Sequence, residues 1–118
     1  MSAPDADCIF CKIAEGELPS TRVYEDDYVI AFRDLNPQAP THVLVIPKQH
    51  IPGIADPVAE DGETLARVFI AANKVARDQG VAESGYRLVF NQGRDAGQAV
   101  AHLHLHLLGG RPLGWPPG

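Results

Sequence analysis

Cysteine is nearly absent from this chain, with Cys8 and Cys11 the only two in 118 residues. That excludes a secreted scaffold held by several disulfides. No apolar run is long enough to span a bilayer, and no basic-then-apolar leader opens the sequence. A cytoplasmic location is the expectation, with no membrane partner. Lysine and arginine do not cluster, and the net charge is −5. Long nucleic acid is therefore a poor partner, because such contacts depend on neutralising phosphates. A small phosphate ligand stays open, since a local site can oppose the overall charge. Repeats, low-complexity tracts and interdomain linkers are also missing. What remains is an ordinary globular composition, 45% hydrophobic and 21% charged. The length suits one domain, expected over residues 8–118 after a small, polar, loose end at 1–7.

Local patterns divide the chain into short elements. Cys8 to Ile13 reads as a short helical or turn segment closing at Gly16. Val23–Glu25 and Val29–Phe32 read as strands joined by a turn at Glu25-Asp26-Asp27. Asn36-Pro37 and Ala39-Pro40 make a loop, and His42–Ile46 a third strand ended by Pro47. One long helix is predicted from the apolar stripe Leu65, Val68, Phe69, Ala72, Val75 and Ala76, with Gly80 at its C-terminal cap. Tyr86–Asn91 reads as a fourth strand, Gly93–Gly97 as a glycine-containing loop, and His102–Leu108 as a fifth strand. The Pro- and Gly-rich tail from Arg111 is irregular. Successive strand candidates with one intervening helix predict an α+β fold, an antiparallel sheet covered by a helix.

The densest chemistry lies in His102-Leu103-His104-Leu105-His106-Leu107-Leu108. On a strand, alternate residues share a face, so the imidazoles line one side and the leucines anchor the other. Histidine titrates nearest neutrality. Three readings compete: a nucleophile with assisting neighbours, one metal held by all three, or a solvated surface. Residues i and i+2 lie about 7 Å apart, which separates His102 from His106 by about 13 Å and argues against one shared ion. A histidine can attack phosphorus while another steadies the oxygens. The preceding loop, Asn91 to Gln98, can aim backbone N–H groups at phosphate or simply connect two strands.

With these residues in view, the sequence resembles the histidine-triad (HIT) family, specifically its nucleotide-binding (Hint) branch. The likeness is carried by the His-φ-His-φ-His-φ-φ segment, by Ala31 through His42, by Val45-Ile46-Pro47-Lys48, by the Gly97-Gln98 step, and by Gly109-Gly110-Arg111 through Gly118. It runs from Cys8 to the C-terminus. The resemblance implies a HIT-like fold: a five-stranded antiparallel sheet, one long helix and a short N-terminal helix. It implies a homodimer whose two sheets join into one.

For activity, the resemblance implies a site for a purine nucleoside monophosphate, and hydrolysis of its phosphoramidate or nucleotidyl transfer. His104 would be the nucleophile, His106 would contact phosphate oxygens, and His42 would support the site. Asp34 would bind the ribose hydroxyls, as a carboxylate accepting two O–H donors can. Ile9, Phe10, Ile13, Phe32 and Leu35 would form the base pocket, with ordinary core packing as the other account of them. Asn91, Gly97, Gln98 and Ala99 would border the phosphate, and Trp115 would reach the leaving group from the partner chain or anchor the tail. The chain departs from the family at Ala99, where relatives commonly have serine. That departure keeps open a nucleotide- or partner-binding module with little turnover.

Two histidines, His50 and His102, have no nucleotide role under this assignment. With Cys8 and Cys11 they make a Cys₂His₂ set suited to structural zinc. Bacterial relatives with C-I-F-C at this position carry zinc, so the resemblance favours it. A reversible Cys8–Cys11 disulfide and two buried thiols are the alternatives. A redox role for Cys8-x-x-Cys11 would require a thiolate activated at a helix N-terminus within a different fold.

Overall fold

The computed structural model describes residues 5–118. Residues 1–4 of the expected loose end lie outside the described residues. Asp5 to Asp7 form a turn in which Asp7 N–H donates to Asp5 Oδ1 at 2.9 Å and Cys8 N–H to the Asp5 carbonyl at 3.0 Å. The elements that follow are α1 (Ile9–Ala14), β1 (Arg22–Glu25), β2 (Val29–Arg33), β3 (Thr41–Pro47), a 3₁₀ turn at Pro57–Asp61, α2 (Glu63–Asp78), β4 (Tyr86–Phe90) and β5 (Leu105–Gly109). The five strands form one sheet in the order β1-β2-β3-β5-β4, and every pairing is antiparallel. Asp26 makes the first hairpin turn by accepting the Tyr28 and Val29 N–H groups at 2.8 Å each. Among the described residues no helix is long and apolar enough to cross a membrane.

Period-two alternation sends the central strands to two different cores. Val29, Ala31, Val43, Val45, Leu103, Leu105 and Leu107 pack against α2 through Val68, Ala72 and Val75. Ile30, Phe32, Leu44 and Ile46 point the other way and pack under α1 with Phe10 and Ile13. Both faces of β2 and β3 are thus covered, which is why these strands read as continuous apolar runs. The histidines share the α1 face, opposite their leucines, as the alternation predicts.

Two boundaries differ from the sequence reading in ways that matter. The fifth strand begins at Leu105 rather than His102. Upstream of Leu105 the ladder partners are taken: Leu103 N–H donates to the Ile51 carbonyl at 2.6 Å, and the His102 ring donates to the Pro47 carbonyl at 2.8 Å. His102 and His104 therefore sit on an extended lead-in, with only His106 inside the strand. On α2 the buried stripe is Val68, Ala71, Ala72, Val75 and Ala76. Phe69 lies outside it, 39% exposed, edge-on to Phe90 at the rim. Gly80 follows the Gln79 cap with φ of +75°, a left-handed turn that favours glycine. The fourth strand ends at Phe90, one residue short of Asn91.

Candidate active site and metal cluster

The α1 face carries an apolar cavity of about 240 Å³, walled by Ile9, Phe10, Ile13, Phe32, Leu35 and Leu44, with Asp34, Ala99, His104 and His106 also on its wall. α1 roofs it because Cys8 caps the helix, accepting the Cys11 N–H on Sγ at 3.4 Å. Phe10 stands edge-on to Phe32, to His102 and to His104, with ring centroids 5.7, 5.9 and 5.0 Å away. Nine of the residues expected at a nucleotide site therefore share one wall. His42 lies behind His106, 6% exposed. Asn91, Gly97, Gln98 and Trp115 are off that wall.

The loop before the histidines is organised by its own glutamine. Gln98 Oε1 accepts the Gly93 N–H at 2.9 Å, and its Nε2 donates to the Pro52 and Val100 carbonyls. The Gly97 and Gln98 N–H groups are bonded inside the loop, to Arg94 and Gly93 carbonyls. Only Ala99 and Val100 of this stretch reach the cavity. Trp115, on the tail, is 84% exposed.

Backbone groups fix the proton positions on the histidines, because a carbonyl only accepts and an amide only donates. His104 Nδ1 is 2.7 Å from the His102 carbonyl, so Nδ1 carries a proton. In the neutral ring Nε2 then holds a free lone pair. His42 Nδ1 accepts the Gln38 N–H at 3.0 Å. Burial holds His42 below the usual histidine range despite the Asp34 carboxylate, so its one proton is on Nε2. That N–H points at His106 Nδ1, 2.9 Å away, with Asp34 Oδ2 at 3.5 Å. Burial, with the neighbouring His104 and His42, pushes His106 down to about 4. His106 is therefore neutral near pH 7, and its proton sits on Nε2. The result is a lone pair on His104 beside an N–H donor on His106, their rings 5.0 Å apart. This pairing suits attack on an electrophile whose oxygens need a donor.

A second cluster lies on the other side of α1. Cys8 Sγ is 3.3 Å from His102 Nδ1, and Cys11 Sγ is 3.2 Å from His50 Nδ1 and 3.5 Å from His102 Nδ1. All four ligand atoms lie within 4.8 Å of one another. With Zn–S near 2.3 Å and Zn–N near 2.05 Å, a tetrahedron has S···N edges of about 3.5 Å. His102 donates Nε2–H to Pro47, which leaves Nδ1 as a lone pair facing the thiols. Asp5 Oδ2 stands 4.0 Å from His50 Nε2. Burial pushes the Cys11 thiol up to about 11. Among the described residues, Asp34, His42 and His106 make the other group of potential ligands.

Some contributors carry no sequence signal. Ser20, Arg33 and Val100 also line the cavity. The main-chain groups of Gln38, Pro47 and His102 set ring orientation through atoms that every residue possesses.

Comparison with known proteins places these features. Residues 15–113 match the model of the HIT domain. A purine nucleoside phosphoramidase from Escherichia coli is 55% identical over 106 residues, covering 90% of this chain and 89% of that protein. An uncharacterised HIT-like protein from Synechocystis is 51% identical, covering 95% and 97%. Among solved structures, a HIT family hydrolase from Legionella pneumophila superposes with a TM-score of 0.91 at 57% identity, covering 95% of this chain and all of that one. A histidine triad protein from Clostridium difficile gives a TM-score of 0.91 at 47% identity, covering 95% and 97%. With the fold, the histidine segment and the family model in agreement, the chain belongs to the HIT family and carries the fold of its hydrolases.

Proposed function

We propose that the chain hydrolyses purine nucleoside phosphoramidates through a nucleotidyl-histidine intermediate on His104. The observation that carries this reading is the His104 ring, its Nδ1 proton committed to the His102 carbonyl, standing on the wall of an apolar cavity. The E. coli relative's name supplies the substrate class. The base occupies the cavity under α1, and Asp34 takes the ribose hydroxyls. His104 Nε2 attacks phosphorus; a P–N(His) bond forms as the P–N bond to the amine breaks, and the amine leaves with a proton. His106 Nε2–H donates to a phosphoryl oxygen, and His42 holds His106 in that tautomer. Water then cleaves the P–N(His) bond. Ala99 borders the phosphate, Asn91, Gly97 and Gln98 shape the loop behind it with the Gly97 and Gln98 N–H groups already bonded within that loop, and Trp115 reaches the leaving group from a partner copy.

The same reading makes the protein a cytoplasmic homodimer, residues 8–118 forming its one domain. The outer edge of β4 is free to extend the sheet, and Phe69 and Ile70 lie exposed on the adjoining helix. The Cys₂His₂ cluster holds structural zinc: its donor types and spacing fit a closed tetrahedral site with no open position. Elemental analysis of protein purified without added metal gives one zinc per chain. Less than one per two chains, with free thiols, rejects it.

Ala99 favours a second reading, a nucleotide-binding module with little turnover, since alanine offers the leaving group neither donor nor acceptor. Trapping separates the two. Enzyme mixed with adenosine 5'-phosphoramidate and quenched shows an adenylyl adduct on His104 by mass spectrometry. His104→Asn retains nucleotide binding and loses adduct and turnover. Retained turnover in that variant rejects the nucleophile assignment.

A further inference from the structure

Cys8 and Cys11 flank Ile9 and Phe10 within one helical turn. The outer residues of that turn enter the ligand cluster, and the inner ones wall the nucleotide cavity. On the other strand of this connection, His102 belongs to the cluster while its carbonyl holds His104 Nδ1 at 2.7 Å. The cluster and the cavity therefore share α1 and the 102–104 segment. A separate cavity of about 350 Å³ reaches the cluster from outside, lined by Asp5, Asp7, Cys8, His50 and Ala99 among others. Cys11 is not on its wall and is only 2% exposed.

We infer that Cys8 and Cys11 form a peroxide-oxidised pair whose disulfide withdraws two of the four ligands, frees α1, and weakens nucleotide binding. This rests on the nucleotide reading above. The co-reactant is hydrogen peroxide or an alkyl hydroperoxide, small enough to enter the outer cavity. The Cys8 thiolate attacks the hydroperoxide oxygen, giving a sulfenic acid and releasing ROH. The Cys11 thiol, within 4.8 Å, then displaces the sulfenic oxygen as water, its own proton leaving with that water as the S–S bond forms. Were zinc held by both thiolates, the same oxidation would consume ROOH and two protons and give the disulfide, ROH, water and free Zn²⁺. The two cysteines lose two electrons and the peroxide gains them.

The thiols begin within 4.8 Å of each other, and the disulfide bond is about 2.05 Å. Cys8 Sγ must turn towards Cys11 and away from His102. α1 then keeps its apolar contacts and loses its tether to His50 and His102. A short helix of six residues has little stability of its own. Its loosening disturbs Ile9, Phe10 and Ile13, three walls of the cavity.

The test treats the whole protein with hydrogen peroxide and follows four quantities: intact mass, released zinc with a chromogenic chelator, AMP affinity by calorimetry, and amide exchange over Ile9–Ala14. The expected result is loss of two hydrogens per chain, zinc release in step, about tenfold weaker AMP binding, within the usual range of coupling between sites, and faster exchange in α1. Dithiothreitol with added zinc restores all four. A disulfide that forms with AMP affinity within twofold of the reduced protein, or with unchanged exchange in α1, overturns the proposal. So does a pair that stays reduced while free glutathione in the same tube is oxidised. If reduced protein binds no AMP, the nucleotide reading fails by itself, and the mass and exchange arms still decide whether oxidation frees α1.

Discussion

Acid should destabilise this fold through His106, and the size of the effect follows from its burial. The group is pushed from 6.5 down to about 4, first by burial and then by His104 and His42. In the unfolded chain it titrates normally. Between pH 6.5 and 4 the unfolded chain therefore binds a proton that the folded one refuses. Stability falls as pH drops through 6.5 and the loss levels off near 4. At pH 5 linkage gives about 2 kcal/mol relative to pH 8, a ceiling for a partly exposed ring, so about 1–2 kcal/mol is expected. His106→Gln removes the titration while Oε1 can still accept the His42 N–H. Urea unfolding of both proteins from pH 8 to 4.5, at constant ionic strength and with a chelator present, isolates the term. Groups remote from His106 contribute to both curves and cancel in the difference, whereas His42 and His104, which lie beside it, retain a coupled part. The variant should lose less stability on acidification, and the gap should open below pH 6.5. Parallel curves would refute the claim that this histidine is held neutral by its surroundings.

Other outcomes follow from the same geometry. Ala99→Ser should raise kcat/KM on simple alkyl phosphoramidates, where the leaving group is poor, and change little for good leaving groups; no gain on the alkyl substrates sinks that idea. Leu105→Ala, at a side chain 1% exposed, should cost about 2–5 kcal/mol by chemical denaturation, the usual range for a buried leucine. A loss below 1 kcal/mol would mean the core collapses around the site. Phe10→Leu keeps an apolar wall but removes the ring edge from His104 and His102. It should lower kcat more than it raises KM, measured by steady-state kinetics, and the reverse split would place Phe10 in base binding alone.

The sheet, the alternation of its faces and the long helix were legible because they rest on periodicity. Leu103, Leu105 and Leu107 alternate into one core, and the central strands read as apolar because both their faces are covered. The start of the fifth strand was not legible. It depends on Ile51 and Pro47 carbonyls, which accept the Leu103 amide and the His102 ring, and sequence carries no mark of a carbonyl's direction. Phe69 fits the helical period by position yet sits at the rim, where its ring meets Phe90 edge-on. The ligand cluster joins Cys11 to His50 and His102 across 39 and 91 residues, a separation no local pattern encodes; only the resemblance gathered them. Gln98 is expected at the phosphate from the resemblance, whereas in the structure its side chain closes the loop.

Proximity alone does not distinguish the two histidine clusters. Each gathers imidazole nitrogens with sulfur or carboxylate donors within 4.8 Å. What differs is the face each ring turns inward. At the cysteines, Pro47 takes the His102 Nε2 proton and leaves Nδ1 bare towards the thiols. At Asp34, the Gln38 amide occupies His42 Nδ1 and forces its proton onto Nε2, pointing at His106. A metal ion needs lone pairs, so the second arrangement would have to lose that proton and break a buried hydrogen bond to take one. A phosphoryl oxygen needs protons, which His106 can then supply. One carbonyl and one amide, neither able to reverse its role, thus turn a His102 lone pair towards the thiols and set His42 and His106 to donate protons in the other cluster. His104 stands between them, held by the backbone of one cluster and in ring contact with the other.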